Sequence, residues 1–377
     1  MTLSKPSLHV LQVLPALNSG GVERGTVEFA NELVLRGHRS TVMSNGGQLV
    51  KELENNGSTH LLVPVHKKSL TSLLQVRRVR HILNELKPDV IHVRSRAPAW
   101  IIWLAWRKLP KENRPRLVST FHGMYSVNKY SAIMAKAEHC IAISNCVQDY
   151  MLTNYEIPPS KITRIYRGLD PKSFNSNACN PQWRASLLQE YPELENKKII
   201  LMPGRLSRWK GQEAFIKMMH LLIQIRPDCH GVIVGSAEPQ KEHYQSELLS
   251  LTSSLGLEKN ISFMGHRSDI QAFYGFADVT CHMSNKAEPF GRTVPEALAC
   301  GCPVVAFDRG GASESLNAGF PKGLVEPDNI QAFAQRIAEL LDTHPEFYLP
   351  KEFYLNQQVD NTLGVYEKLL SNEEQAN

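Results

Sequence analysis

The chain has 377 residues, 42% of them hydrophobic and 21% charged, with a mean hydropathy of −0.27, which excludes wholesale disorder and a polytopic membrane protein. That length exceeds what one hydrophobic core usually supports and predicts two or three domains. The formal net charge of +5 hides a division: residues 1–180 carry 24 Lys+Arg against 12 Asp+Glu, the rest 18 against 25, which suggests two domains with different partners.

Leu8–Leu14 reads as a strand, followed by a Gly20-Gly21 loop and a helix over Val22–Leu35 that Gly37 stops. A strand at Ser40–Ser44, a helix at Leu70–Leu86, a strand at Val90–Val93, a helix at Trp100–Lys108 and a strand at Leu117–Phe121 follow, then short strands at Ile141–Ile143 and Ile162–Tyr166. The polar stretch Asn175–Pro181 reads as a linker. Strand and helix then alternate again: Ile199–Met202, Glu213–Gln224, Gly231–Val234, Tyr244–Leu255, Ile261–Phe263, Ile270–Phe276, Val279–His282, Val294–Ala299 and Val304–Phe307. Such alternation predicts parallel strands with crossover helices. The expected fold class is therefore α/β, with two doubly wound Rossmann-like domains, residues 1–174 and 175–351. Ligands in such folds bind at the carboxyl ends of the strands, here in a cleft between the two sheets. Ser371–Asn377 reads as a frayed end. Ala97–Trp106, the longest apolar run, is too short for the ~20 residues of a membrane span, and no long apolar stretch opens the chain. Seven cysteines with no C-x-x-C spacing argue against a disulfide framework or a structural zinc site and fit a reducing cytoplasm.

The most informative stretch is Glu288-Pro-Phe-Gly-Arg-Thr-Val-Pro-Glu296. It sets one carboxylate before a Phe290-Gly291 turn and another in the first turn of a short helix, so that the Gly291–Val294 amides point out of a helix start. Such groups suit phosphate, and flanking carboxylates accept hydrogen bonds from sugar hydroxyls. The plainer alternative is that Glu296 improves a helix N-terminus and Glu288 caps a loop. Arg205 and Lys210 lie in the loop after the first strand of the second domain, where a guanidinium fork and a point-charge ammonium suit a diphosphate; with Arg208 beside them, a solvated basic loop is the other reading. No Asp-x-Asp pair occurs, so the usual sign of a metal held on a nucleotide diphosphate is missing, and no metal and no cofactor are expected. His122 follows a strand and precedes Gly123, which places it at a sheet edge either as a ligand contact or as a hydrogen-bonded structural histidine.

The stretch Glu288–Glu296 resembles the E-x7-E signature of the retaining family 4 glycosyltransferases. Gly20-Gly21-Val22-Glu23 is similar to the N-terminal glycine loop of that family, Gly204-Arg205 with Lys210-Gly211 to its phosphate clamp, and Gly310-Gly311-Ala312-Ser313-Glu314 to its late glycine loop. The resemblance implies the GT-B fold, a C-terminal helix over about 352–377 packing back on the first domain, and transfer of a hexosyl unit from a nucleotide diphosphate sugar to a saccharide or glycolipid acceptor in lipopolysaccharide or polysaccharide synthesis. It implies donor contacts from Gly20, Gly21, Arg205, Lys210, Glu288, Phe290, Gly291, Arg292, Thr293 and Glu296. Thr120-Phe-His-Gly123 matches a stretch that lies against the donor sugar, so His122 and Glu288 are the expected catalytic residues. Front-face displacement is implied, with the leaving phosphate helping to deprotonate the acceptor, Glu288 on sugar hydroxyls and Glu296 on the ribose. Two stretches depart from the pattern: Gly235-Ser236-Ala237 stands for Gly-Asp-Gly, and Arg167-Gly168-Leu169-Asp170 for Asn-Gly-Val/Ile-Asp.

On the acceptor side, Lys67–Arg116 holds 13 Lys+Arg against 3 Asp+Glu. It includes Lys67-Lys68, Arg77-Arg78-Val-Arg80, Arg94-Ser-Arg96 and three tryptophans from Trp100 to Trp106. Tryptophan beside cations suits an anionic membrane surface on the cytoplasmic face, although three tryptophans at spacing three equally suit packing onto the sheet. Glu23, Arg94 and Arg96 are the expected acceptor contacts, the arginines for an anionic saccharide. No nucleic-acid-binding motif accompanies the basic stretch, and none is expected as a partner. Two other classes share such a fold: a nucleotide-sugar epimerase, and a sugar-nucleotide-binding scaffold without activity.

Overall fold

The computed structural model describes residues 7–18, 20–66, 72–237, 242–343 and 345–374, in two compact units: the chain up to Gly168 together with the chain from Tyr354 onward, and Leu169–Phe353. The division falls at Gly168, ahead of the polar stretch expected as linker. That stretch is polar because its asparagines cap local structure: the Asn175 side chain accepts from the Asn177 amide, and the Asn180 side chain accepts from the Trp183 amide to start a helix at Pro181.

The first unit runs β1 (His9–Val13), α1 (Gly21–Leu35), β2 (Arg39–Ser44), α2 (Val50–Asn55), β3 (Thr59–Leu62), α3 (Ser72–Leu86), β4 (Val90–Val93), α4 (Arg96–Trp106), β5 (Arg116–Phe121), β6 (His139–Ala142), α5 (Asn145–Asn154) and β7 (Ile162–Arg164). Its seven strands are all parallel, in the order β3-β2-β1-β4-β5-β6-β7. β1 and β4 are buried along their whole length, as expected for the middle of a sheet covered on both faces. The order reverses between them, so the loops leaving β1 and β4 flank the crevice of a doubly wound sheet. Lys67, Lys68 and the start of the helix expected from Leu70 lie outside the described residues.

The second unit runs α6 (Pro181–Glu190), β8 (Lys198–Pro203), α7 (Gln212–Ile225), β9 (Cys229–Val234), α8 (Glu242–Ser254), β10 (Ile261–Phe263), α9 (Ile270–Phe276), β11 (Val279–His282), α10 (Thr293–Ala299), β12 (Val304–Phe307), α11 (Gly310–Gly319), β13 (Leu324–Val325) and α12 (Ile330–Thr343). Its parallel strands lie in the order β10-β9-β8-β11-β12-β13, with the reversal between β8 and β11. Both units are thus doubly wound α/β sheets.

The chain then returns to the first unit as α13 (Leu355–Glu374). Leu355, Val359, Leu363 and Tyr366 recur at helical spacing and pack with Val10, Phe29, Val90, Val118 and Ile141 in one core. The helix continues to Glu374, so the frayed end expected from Ser371 is helical over that range. Among the described residues, no helix is long and apolar enough to cross a membrane.

Candidate active site

In the second unit, the loops leaving β8, β11 and β12 converge. Gly211 has φ of +84° and lies so close to the Met283 carbonyl that a side chain would collide with it. The Asn285 amide group donates to the Arg208 carbonyl at 2.7 Å, and its backbone N–H to the Trp209 carbonyl at 3.0 Å. These contacts lay the 204–211 loop on the 283–286 segment. Lys210 thereby reaches Glu288, with Nζ to Oε1 at 2.7 Å. The Ser284 hydroxyl donates to the same carboxylate, and His282 Nε2 lies 3.6 Å from it.

Glu288 is 9% exposed. Burial pushes its carboxyl up, but His282, Lys210 and the Ser284 hydroxyl outweigh burial, and the net shift is below the ordinary value. Burial also holds His282 below its usual range, against the pull of Glu288. At neutral pH we therefore assign a charged Glu288 beside a neutral His282, whose Nδ1 meets Thr293 Oγ1 at 2.9 Å.

The second carboxylate, Glu296, is also buried. Arg292 Nε donates to Oε1 at 2.5 Å and the Tyr274 hydroxyl to Oε2 at 2.9 Å. Burial, then the charge of Glu296, raises the Tyr274 phenol well above its usual value and keeps it a donor. Phe290 is buried with its ring tilted against Phe353, centroids 6.2 Å apart. Gly291, at φ +72°, sits against Ala312, while Gly310 and Gly311 press on the backbone of residues 287–290. The glycine loop expected at Gly310–Glu314 is instead the first turn of α11; its glycines are needed because no side chain fits beneath the Glu288 turn. Arg205 is exposed, its carbonyl accepting from Gln212 Nε2 at 3.0 Å. Arg208 pairs with Glu247 and lies over Tyr244. Gly235, at φ +149°, crosses Gly204 so closely that only glycine fits, whatever follows at Ser236 and Ala237.

In the first unit, Gly20 caps α1 with extended backbone, Gly21 begins it, and Glu23 folds its carboxylate over Gly20. Arg94 leaves the end of β4 and is 3% exposed. Its Nε donates to Gln12 Oε1 at 2.8 Å, its guanidinium lies 5.4 Å from the Phe29 ring centroid, and burial lowers its pKa to about 10. His122 follows β5 with both ring nitrogens buried and unpartnered. Burial first, then Arg167, Arg94 and His92, keeps it neutral, well below its ordinary value. Below them, His92 bonds Tyr366 of α13 and Thr120 of β5, each at 2.6 Å. Arg167 donates to the Gly21 carbonyl, so the departure at this position ties the end of the sheet to the glycine loop.

Arg96 is the first residue of α4, which begins four residues earlier than the helix expected from Trp100. There it lies between the rings of Tyr125 and Tyr130 at 4.7 and 5.6 Å and bonds Ser131. The tryptophans make the packing contacts that were one of their two readings. Trp100 and Trp106 donate to the carbonyls of Tyr130 and Pro115, Trp103 meets Trp100 edge-on, and all three are half-buried. Sequence reasoning missed His282, Ser284 and Tyr274. The position of His282 at a strand end was the available signal; nothing in the sequence linked Tyr274 to Glu296. Among the described residues, no group of three or more His, Cys, Asp or Glu side chains is arranged to hold a metal ion.

Two parallel doubly wound units, with paired carboxylates and cations at the carboxyl edge of one and a buried histidine and arginine at that of the other, define a GT-B architecture. The profile of the glycosyl transferases group 1 matches residues 184–352, and that of glycosyltransferase family 4 matches residues 19–173. The crystal structure of a glycosyltransferase from Rickettsia africae ESF-5 is similar over 98% of this chain and 100% of that one, at 32% identity and a TM-score of 0.85. Anabaena HepE, solved in complex with UDP and glucose, shares the fold at 24% identity and a TM-score of 0.73 over 98% of each chain. Among curated proteins, spore coat protein SA of Bacillus subtilis is 26% identical over 94% of this chain and 96% of its own length. The lipopolysaccharide core biosynthesis mannosyltransferase LpsB of Rhizobium meliloti is 28% identical over 55% of this chain and 61% of its own. The chain belongs to the glycosyltransferases and is an enzyme of GT-B fold.

Proposed function

We propose that the protein moves a hexosyl unit from a nucleotide diphosphate sugar to a saccharide or glycolipid acceptor, with retention and without a metal, in the synthesis of cell-surface glycan. The observation that carries this reading is the pair of buried carboxylates in the second unit, each tied to a cation: Glu288 to Lys210 and Glu296 to Arg292. A charged carboxylate accepts hydrogen bonds from sugar and ribose hydroxyls. The donor diphosphate competes for Lys210, whose ammonium, with Arg205, offsets the charge growing on the leaving phosphate. Glu288, held below its ordinary pKa, is a weak base, which fits a role on sugar hydroxyls rather than in proton transfer. Double displacement would need a carboxylate nucleophile beneath the anomeric carbon; we assign none, and read the leaving phosphate as the group that takes the acceptor proton. His122, neutral with both nitrogens unpartnered, is assigned to the sugar. The complex of HepE with UDP and glucose supports a uridine donor, and the lipopolysaccharide role named for LpsB supports a surface-glycan acceptor.

Thermal shift against UDP, UDP-glucose, UDP-galactose and GDP-mannose tests the donor. A nucleotide sugar at a hundred times its dissociation constant adds about 2.7 kcal/mol of apparent stability, and no shift with any of them retires the reading. Proton NMR of the product reads the anomeric configuration, with inversion as the contrary result. Activity is expected to persist in excess chelator; complete loss there contradicts independence of metal.

A further inference from the structure

The first unit holds a cavity of about 20 Å³ lined by Arg94, His122, Arg167, Thr120, Glu28 and Gln358, among others. That volume admits a water molecule or the terminal group of a substituent and is too small for a sugar ring. Arg94 is 3% exposed, and it contacts Gln12 through Nε and the Phe29 ring. Among the described residues its two Nη groups meet no acceptor and no carboxylate pairs with it. A buried guanidinium without a counter-charge is a costly arrangement. A second cation, Arg167, lies on the same lining. The third observation is independent of charge: both ring nitrogens of His122 are buried without partners on that lining. Glu28 is the only carboxylate among the lining residues.

A guanidinium has donors and no acceptor, and its fork matches two oxygens of one oxyanion. A neutral hydroxyl would satisfy one of those donors and leave the charge uncompensated. We infer that this cavity is a subsite for an oxyanion substituent, the carboxylate of a saccharide substrate, held by Arg94 and Arg167 with His122 donating to it. The inference rests on the reading of the protein as a nucleotide-sugar-dependent transferase, and makes one of its two sugars acidic.

Binding to the full chain is measured by thermal shift and calorimetry with two matched sets, each with wild type and Arg94→Met. The first is UDP-glucuronate against UDP-glucose; the second, without nucleotide, is methyl glucuronide and methyl galacturonide against methyl glucoside. The anionic member of at least one set is expected to bind wild type on the order of tenfold more tightly than the neutral one, with the preference lost in Arg94→Met. Preference in the first set places the anion on the donor; preference only in the second places it on the acceptor. Equal binding within both sets, or a preference that survives Arg94→Met, overturns the proposal. Should Arg94→Met fold poorly, Arg94→Gln substitutes for it, with the same preference lost. If no UDP compound binds while the anionic monosaccharides are still preferred, the uridine-donor reading fails and the subsite stands.

Discussion

At the scale of single residues, the two carboxylates of the site differ in what holds them. Glu288 has an ammonium, a hydroxyl and an imidazole around it, whereas Glu296 has a guanidinium and a phenol. Tyr274→Phe removes the donor to Oε2 of a buried carboxylate and is expected to cost about 1–3 kcal/mol of stability; the shift in denaturation midpoint checks it, with an unchanged midpoint as the contrary outcome. His122→Ala is expected to lower kcat about a hundredfold while changing donor affinity less than threefold, because the hydrogen bond it supplies strengthens as charge develops. Parallel losses in kcat and in donor binding, read by calorimetry, would remove the catalytic assignment. Glu288, Glu296 and Lys210 were legible in the sequence because they sit in contiguous motifs. Tyr274 was not, since it reaches Glu296 from another helix and no spacing rule connects two elements that meet only on folding.

At the scale of elements, periodic pattern located α1, α3, α7, α8 and the central strands within a few residues, whereas α12 (Ile330–Thr343) was not expected and α13 was expected only from the family resemblance. It also failed where an element is short or lies at the edge. β3 spans Thr59–Leu62 and is half-exposed, α2 has a single fully buried residue in Leu53, and neither shows enough apolar periodicity to register. The head of α11 was expected as a glycine loop from its resemblance to the family pattern, whereas Gly310 and Gly311 lie in a helix and let the Glu288 turn approach. Helix α13 is fixed by Tyr366, whose hydroxyl meets His92 Nδ1 at 2.6 Å in the core. Tyr366→Phe leaves that nitrogen buried without a partner and is expected to cost about 1–3 kcal/mol. Urea unfolding followed by circular dichroism would show it, and a shift within error would mean that the bond contributes little.

At the scale of the whole molecule, charge and protonation are unevenly distributed. Arg77, Arg78 and Arg80 on α3, with Arg107, Lys108 and Lys111, are exposed, and we expect salt-sensitive co-sedimentation with vesicles of anionic lipid. Binding that is equal for neutral vesicles would count against it. His92 and His122 are held below their ordinary values by burial, and His230 is lowered to about 4 for the same reason. As pH falls below about 6.5 the unfolded chain takes up these protons and the folded one does not. Stability should therefore decline from pH 6.5 toward 4, by at most about 1.4 kcal/mol per pH unit for each histidine. A Tm that stays level from pH 7 to 5 would contradict this.

The return of the chain through α13 sets the order in which the two units can complete their cores. The second unit is an insertion, complete once Phe353 has been synthesised, whereas the first lacks Val359 and Tyr366 of its core until the last helix emerges. Domains generally fold in the order of synthesis; here the later unit can close first, and the earlier one waits with Val10, Phe29 and Val118 uncovered. A chain stopped after residue 353 should accordingly yield a protease-resistant Leu169–Phe353 fragment and a degraded N-terminal part, so the interval before α13 emerges is the one in which the nascent first unit is most exposed to aggregation.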